Sequence, residues 1–323
     1  MDGGPALCRT GGFEHALRRA VMAAEPVQIA FTLGARRLFS ARRMLTPLAF
    51  SLEDALVGRT PDHANATADG VRVLSAPVAM ADAIAARFPG HIVGAREDFR
   101  RHYIAMDGSF DDYLTRFSGK TRSTLRRKSR KFAQADGGTL DVRSYCTPEE
   151  VARFLDLALP LSEKTYQARL LDAGLPDSEQ ARATMLADAA ADRMRCFLLF
   201  LHGEPVAYLS LPVRGDTLVY AHLGYDPAHA GLSAGTVLQM EALRMLFEEE
   251  RFRFFDFTEG EGAHKALFGT HAIACCSFVL LRPTLANRLL LGARAGFDAG
   301  VARGKMLVQG NRSLASARRL LKA

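Results

Sequence analysis

Three apolar, strand-length runs stand in series with only turn-sized gaps between them: Cys196–Leu201, Val206–Pro212 and Thr217–Gly224. His202-Gly203-Glu204-Pro205 and Arg214-Gly215-Asp216 separate them, and gaps this short force antiparallel neighbours. A polar glycine loop, Asp226–Gly235, follows, then a helical stretch to about Glu250 and a strand, Phe252–Phe257. A strand reached through a full crossover helix can run parallel to the last strand of the meander, so the sheet is mixed. Parallel neighbours joined in this way part at their ends, and ligands bind where they part.

The flanking pattern extends the same unit. Gly137-Gly138 ends a helix and Thr139–Tyr145 alternates as a strand. Thr147-Pro148-Glu149-Glu150 opens a helix with a cap, a proline at the first position and acids in the first turn. A further helix spans Ser178–Arg193, a short helical piece lies near Ala263–Phe268, and a last strand covers Ile273–Leu281. From residue 139 the order is β-α-α-β-β-β-loop-α-β-α-β. Before it, short apolar runs (Val27–Leu33, Val71–Leu74, His102–Met106) alternate with helix-like stretches at Phe13–Ala24 and Met80–Phe88, and Arg59–Gly70 reads as a loop. This first part is a partial α/β lobe that draws on the rest of the chain for its core. A helix over about Ser109–Arg116 leads into a basic one. The expected division is 1–115, 116–283 and a basic, partly helical tail, 284–323.

Charge is unevenly placed. The 323 residues carry a net charge of +7, and the tail beyond Thr284 alone holds eight Lys or Arg against Asp298. The body is therefore balanced, which argues against a nucleic-acid-binding core. A second concentration, Arg116, Lys120, Arg122, Arg126, Arg127, Lys128, Arg130 and Lys131, contains no acid. It reads either as a solvated helix or as an element facing an anion such as a phosphate, an acidic sugar or a membrane surface. In the tail, Gly292, Gly296, Gly300 and Gly304 recur every fourth residue among arginines, a helix weakened by glycine and suited to lie on an anionic surface. Cysteines number five with no C-x-x-C pair, which fits reduced thiols and no zinc site. No apolar run reaches the ~20 residues of a membrane span, and the start shows no basic and apolar leader, so a cytoplasmic protein is expected.

Two segments carry candidate chemistry. In Ala230-Gly231-Leu232-Ser233-Ala234-Gly235-Thr236-Val237-Leu238, small residues precede a helix whose first amides need acceptors. This is either a plain glycine loop capped by Ser233 or an anion site built from peptide N–H groups. The other segment, Asp256–Gly269, clusters Asp256, Glu259, Glu261, His264 and Lys265 at the end of a strand.

The element order from Thr139 to Leu281 resembles the GNAT acyltransferase fold, an α/β (α+β) architecture with a mixed sheet. Ser233–Leu238 (SAGTVL), Asp256–Gly269 (DFTEGEGAHKALFG) and the lead-in His102–Phe132 resemble its CelD-type branch, associated with cellulose and exopolysaccharide biosynthesis and similar to Fem-type peptidyltransferases. Residues before about Arg101 then correspond to a degenerate first GNAT-like lobe. The resemblance makes Gly231, Ser233, Gly235 and Thr236 the pyrophosphate cradle of acetyl-CoA or a longer acyl-CoA. It places Asp256, Gly260, Glu261, His264 and Lys265 on the acceptor side, with Arg122, Arg126 and Arg127 on the branch's basic helix. Ala228 stands where the family loop starts with Gln or Arg, and His264 where the branch carries tyrosine.

The implied reaction is direct acyl transfer to an amine or hydroxyl of a small-molecule, saccharide or peptide acceptor, without a metal. It needs a base, an oxyanion donor and an acid for the leaving thiolate. Glu259 or Asp256 is preferred as base over His222, which a packed strand position also explains. A backbone N–H near Leu223 is the oxyanion donor. Tyr225 is the candidate acid, although a structural tyrosine fits as well, and Lys265 offsets charge unless it is a surface lysine. Lys164 and Tyr166 either line the acceptor cleft or lie on a helix surface. Alternatives are an aminoacyl-tRNA donor, the one case in which nucleic acid is a partner, and a scaffold that has lost the chemistry. The basic tail adds an anionic membrane face as a partner, which would hold the protein at the inner side of the membrane.

Overall fold

The computed structural model describes residues 24–33, 36–62, 69–165, 174–260 and 262–310. Strands are β1 (Glu25–Leu33), β2 (Arg36–Ala49), β3 (Gly70–Pro77), β4 (Ile92–Ala105), β5 (Asp141–Tyr145), β6 (Met194–Leu201), β7 (Glu204–Arg214), β8 (Thr217–Val219), β9 (His222–Tyr225), β10 (Phe254–Asp256) and β11 (His271–Leu281). Helices are α1 (Leu52–Val57), α2 (Ala81–Ala86), α3 (Phe110–Thr115), α4 (Gly119–Ala135), α5 (Pro148–Lys164), α6 (Glu179–Ala190), α7 (Ala234–Glu248), α8 (Ala263–Phe268) and α9 (Leu285–Gly310). The chain divides into two compact units, Met1–Asp98 with Cys276–Ala323, and Phe99–Cys275. The boundaries drawn along the sequence at 115/116 and 283/284 fall inside these units.

In the first unit β1 pairs antiparallel with β2, and β2 pairs parallel with β3. Ser51 caps α1 by accepting from the Asp54 N–H, and Gly58, with φ of +67°, ends it in the left-handed conformation. Leu48, Phe50, Val71, Val73, Ile84, Phe278 and Leu280 form its core. Two elements here escape the sequence reading, the long strand β2 and the helix α1. In the expected partly helical tail a helix runs over Leu285–Gly310, and residues 311–323 lie outside the described ones. Leu291 of this helix packs among Val27, Ile29, Leu45 and Val279. No described helix is long and apolar enough to cross a membrane. The expected helix Phe13–Ala24 lies, but for Ala24, outside the described residues, as does the middle of the expected loop Arg59–Gly70.

The second unit carries the sheet order β4-β10-β8-β7-β6-β5, with β9 also on β7. β10 runs antiparallel to β4 and parallel to β8, which is the mixed sheet the crossover requires. Every residue of β6 is buried because both faces are covered. Cys196, Leu198 and Phe200 meet Val151, Phe154, Leu155 and Ala158 of α5 on one face. Phe197, Leu199 and Leu201 join Leu125 and Phe132 of α4 and Val237 and Leu238 of α7 on the other. The expected Thr147 cap at α5 forms, accepting from the Glu150 N–H, and the Glu150 carboxylate completes a capping box by accepting from the Thr147 N–H.

One departure matters for function. The expected single strand Thr217–Gly224 is two pieces, β8 and β9, with Tyr220 and Ala221 between them. β8 faces β10, whereas β9 turns to pair with β7 alone among the described strands.

Candidate functional site

The fork begins at Tyr220. Its N–H donates to the Asp256 carbonyl at 2.9 Å, and on the other arm the Phe257 N–H donates to the His102 carbonyl at 3.0 Å, so β10 continues along β4. On β9 the Asp226 N–H donates to the Val206 carbonyl at 2.9 Å, and the register sets Gly224 opposite Tyr208 and Leu223 opposite Leu209. Hydrogen-bonded pairs alternate along an antiparallel ladder. The N–H groups of Leu223 and Tyr225 therefore point away from β7, into the space β10 has vacated.

The loop after β9 is a 3-10 turn, Pro227–Leu232, opened by Asp226, whose carboxylate accepts from the Ala228 N–H at 2.9 Å. Ser233 stands at the N-cap of α7 in the left-handed conformation (φ of +57°), and its side chain makes no capping bond. The plain-cap alternative is thus not realised. Among the described residues, the first intrahelical bond is Val237 N–H to the Ser233 carbonyl. The N–H groups of Ala234, Gly235 and Thr236 have no acceptor among the described residues, and they carry the positive end of the helix. At Gly235 the neighbouring side chains approach closely. A Cβ there would stand 3.1 Å from Leu223 Cδ2 and 3.2 Å from Tyr225 Cδ1. Gly231 faces open space.

The basic helix α4 lies beside this loop, but not with the residues the resemblance selected. The Lys128 ammonium reaches Thr236 Oγ1 at 3.4 Å, and that of Lys131 donates to the Gly231 carbonyl at 2.9 Å. Arg122 instead turns back on the carbonyls of Thr115 (3.2 Å) and Phe117 (2.9 Å), closing the end of α3. Arg122 thus closes α3, and it also lines a groove that it shares with Arg126. Arg126 is exposed and lines, with Phe110, Leu114, Leu125 and Met240, a separate groove of about 520 Å³. None of the eight cations of 116–131 makes an ion pair with another of the described residues.

On the other arm, Asp256 is 1% exposed and chelated by Arg101, with Nε to Oδ1 at 3.0 Å and Nη2 to Oδ2 at 2.5 Å. Its Oδ1 also accepts the Thr258 N–H at 2.9 Å. A carboxylate held this way is a structural ion-pair partner, which corrects its assignment as base. Thr258 sits in the left-handed region at φ of +61°, a strained state for a β-branched residue, right where the strand leaves the fork. Glu259 is exposed, and its backbone carbonyl accepts the Lys265 ammonium. Burial, with Arg101 adding to it, pushes the Lys265 ammonium below its ordinary range, against the pull of Asp256 and Glu259.

His264 faces the fork. Its Nε2 lies 3.2 Å from the Tyr220 hydroxyl, and its ring packs against Phe268, Tyr220 and Phe257 at centroid distances of 5.0, 5.9 and 6.2 Å. Burial first, then the charges of Lys265 and Lys128, push the ring down to about 4. Burial likewise lowers His222, so both rings are neutral at pH 7. An unfolded chain protonates such a ring below about pH 6.5, whereas the folded protein resists until about 4, so stability drains as pH falls across that interval. Urea midpoints followed from pH 7 to 4 should fall less steeply in His264→Gln than in the wild type. Equal slopes would contradict this ring's environment.

The remaining candidates scatter. Tyr225 is 40% exposed with its ring edge at the start of α7, placing it at the loop rather than at Tyr220. Lys164 is exposed and lies 3.8 Å from Asp226 Oδ2. Tyr166 and Glu261 lie outside the described residues. Among the described residues no cluster of His, Cys, Asp and Glu could hold a metal ion. The sequence reading missed Tyr220 and Arg101, and within the basic stretch it did not single out Lys128 and Lys131. Leu125 and Phe132, the only large apolar residues of α4, fix which side of that helix faces inward, and this signal points to Lys128.

Residues 119–266 match the family described as acetyltransferase (GNAT) domain. The fold is a mixed α/β one of GNAT type, and the match covers the fork, the loop and most of α8. Among solved structures, FemX aligns over 84% of this chain and 91% of its own, with 12% identity and a TM-score of 0.50. The C-terminal domain assigned to a lysylphosphatidylglycerol synthetase in Agrobacterium fabrum aligns over 70% and 72%, with 14% identity and a TM-score of 0.47. PaiA N-acetyltransferase from Thermoplasma acidophilum, in complex with coenzyme A, aligns over 35% and 75%, with 12% identity and a TM-score of 0.25. No curated protein matches the sequence.

Proposed function

We propose that this chain is an acyltransferase of the CelD-type branch. It moves an acyl group from acyl-CoA to an amine or hydroxyl of a sugar or another cell-envelope or exopolysaccharide precursor. The observation that carries this reading is the start of α7, where three successive amides without acceptors among the described residues adjoin a strand fork. Amides so arranged hold a diphosphate without needing a basic side chain, and Lys128 adds a charge at the same point. The fork takes the pantetheine arm against the N–H groups of Leu223 and Tyr225, one of which is placed to donate to the oxyanion. Coenzyme A is then the co-substrate, and its residues here are Gly231, Ser233, Gly235 and Thr236.

A second reading, an aminoacyl-tRNA donor, draws on the FemX-like fold and on the eight cations of 116–131, which make no ion pair among the described residues. The two differ in electrolyte dependence, because an RNA that neutralises several phosphates loses affinity steeply with salt. Calorimetry at low and moderate salt against acetyl-CoA, longer acyl-CoAs and charged tRNA separates them. The expected result is saturable acyl-CoA binding with a shallow salt slope. Binding of charged tRNA alone, with a steep slope, overturns the donor assignment. For the tail, a membrane face is supported by Leu285 and Leu289, 74% and 66% exposed one turn apart beside Arg288.

A further inference from the structure

The pair Tyr220 and His264 is absorbed neither by the phosphate loop nor by the Arg101–Asp256 ion pair. Tyr220 is the last residue to hydrogen-bond across the sheet before the arms part, and His264 reaches it from α8 on the opposite arm. Their hydroxyl and imidazole are 3.2 Å apart. Both residues are only partly buried, so a substrate entering the fork meets them. Rings of Phe257 and Phe268 wall the pair and keep its polar atoms directed at each other. The charged groups facing His264 are Lys265 of its own helix and Lys128 of α4, and both favour the uncharged imidazole. Lys265 itself feels the opposing pull of Asp256 and Glu259.

We propose that Tyr220 and His264 act together as the proton-accepting pair for the incoming acceptor, with Tyr220 the group that touches it. This rests on the acyl-transfer reading above. The lone pair of an uncharged amine forms the C–N bond to the thioester carbonyl carbon, and the oxygen takes up the π electrons. The adduct's extra N–H proton passes to the Tyr220 oxygen as the hydroxyl proton moves to Nε2 of His264. The C–S bond then breaks and sulfur leaves as thiolate. The imidazolium returns its proton through the same hydroxyl to sulfur, giving amide, free thiol and the starting pair. Neither oxidant nor metal enters the balance. Poor stability of the imidazolium beside two lysines favours that return.

The test uses the full chain, acetyl-CoA as donor and thiol release as the signal, with an amino sugar, an amino acid, a polyamine and water offered as acceptors. Coenzyme A affinity is measured in parallel by calorimetry. His264→Ala and Tyr220→Phe should each lower kcat by about 100-fold with coenzyme A affinity within twofold of the wild type. Millimolar imidazole should recover part of the His264→Ala loss and none of the Tyr220→Phe loss. A purely structural role for the ring would not respond to imidazole. His264→Gln, which can still bond the Tyr220 hydroxyl, serves if the alanine variant does not fold, and the same 100-fold loss is expected of it. Rates within threefold of wild type, or a loss in His264→Ala that imidazole leaves untouched, overturn the pair while leaving the donor site standing. A wild-type protein that neither binds coenzyme A nor releases thiol removes both.

Discussion

Gly235→Asp is expected to abolish coenzyme A binding, with at least about 100-fold lost in affinity. The substitution places a carboxylate among the amides of Ala234, Gly235 and Thr236, which have no acceptor among the described residues. Like charges brought together in this way cost several kcal/mol, and each 1.4 kcal/mol is a factor of ten. The fold should tolerate the charge, because an acid in the first turn of α7 complements the helix dipole. Steric crowding is the competing effect, since a Cβ here meets Leu223 and Tyr225 at 3.1 and 3.2 Å. Gly235→Ala carries the same Cβ without the charge and isolates that contribution. Calorimetry should show the alanine variant binding measurably and the aspartate variant not at all. Equal affinity in wild type and Gly235→Asp would remove this loop from the donor site.

The largest stability loss should come from Asp256→Ala. Removing one partner of a buried ion pair strands the other, at a cost of about 3–5 kcal/mol. Arg101, only 5% exposed, would be the stranded charge, and the Thr258 N–H would lose its acceptor at a strained residue. For a unit of this size the loss lowers Tm by roughly 10 °C. Replacing both partners, Arg101→Met with Asp256→Leu, should restore most of it, since the desolvation penalty goes with the charges. Thermal melts of the three proteins decide the matter. A single variant within about 1 kcal/mol of wild type would mean that Asp256 and Arg101 are solvated and unpaired in solution, and the carboxylate would return as a candidate base.

How much could be read beforehand depends on whether a residue's role was local. The meander, the crossover and the helix cap at Thr147 are written in short-range patterns, so their order survives intact in the structure. The fork was also expected, because a parallel neighbour after a crossover must diverge. β2 was not legible: its first half carries Arg36, Arg37, Arg42 and Arg43 and pairs with β1, and there Leu38 and Phe39 are both exposed, so no period of two appears. The join of Arg101 to Asp256 spans 155 residues and depends on β4 lying beside β10, which no local pattern records. On α4 the cations lie all around the axis, so charge carries no phase. Only Leu125 and Phe132 show that Lys128 points to the loop and that Arg122 closes α3. Tyr220 was hidden because the strand breaks there, and alternation fails at the residue that matters most.

Backbone amide shifts, recorded while coenzyme A is titrated into the isotope-labelled wild-type protein, examine the donor cradle directly. The largest movements should fall on Ala234, Gly235 and Thr236 at the head of α7, with Leu223 and Tyr225 following as the arm enters the fork. Shifts confined to other parts of the chain, or none at saturating ligand, would contradict the account.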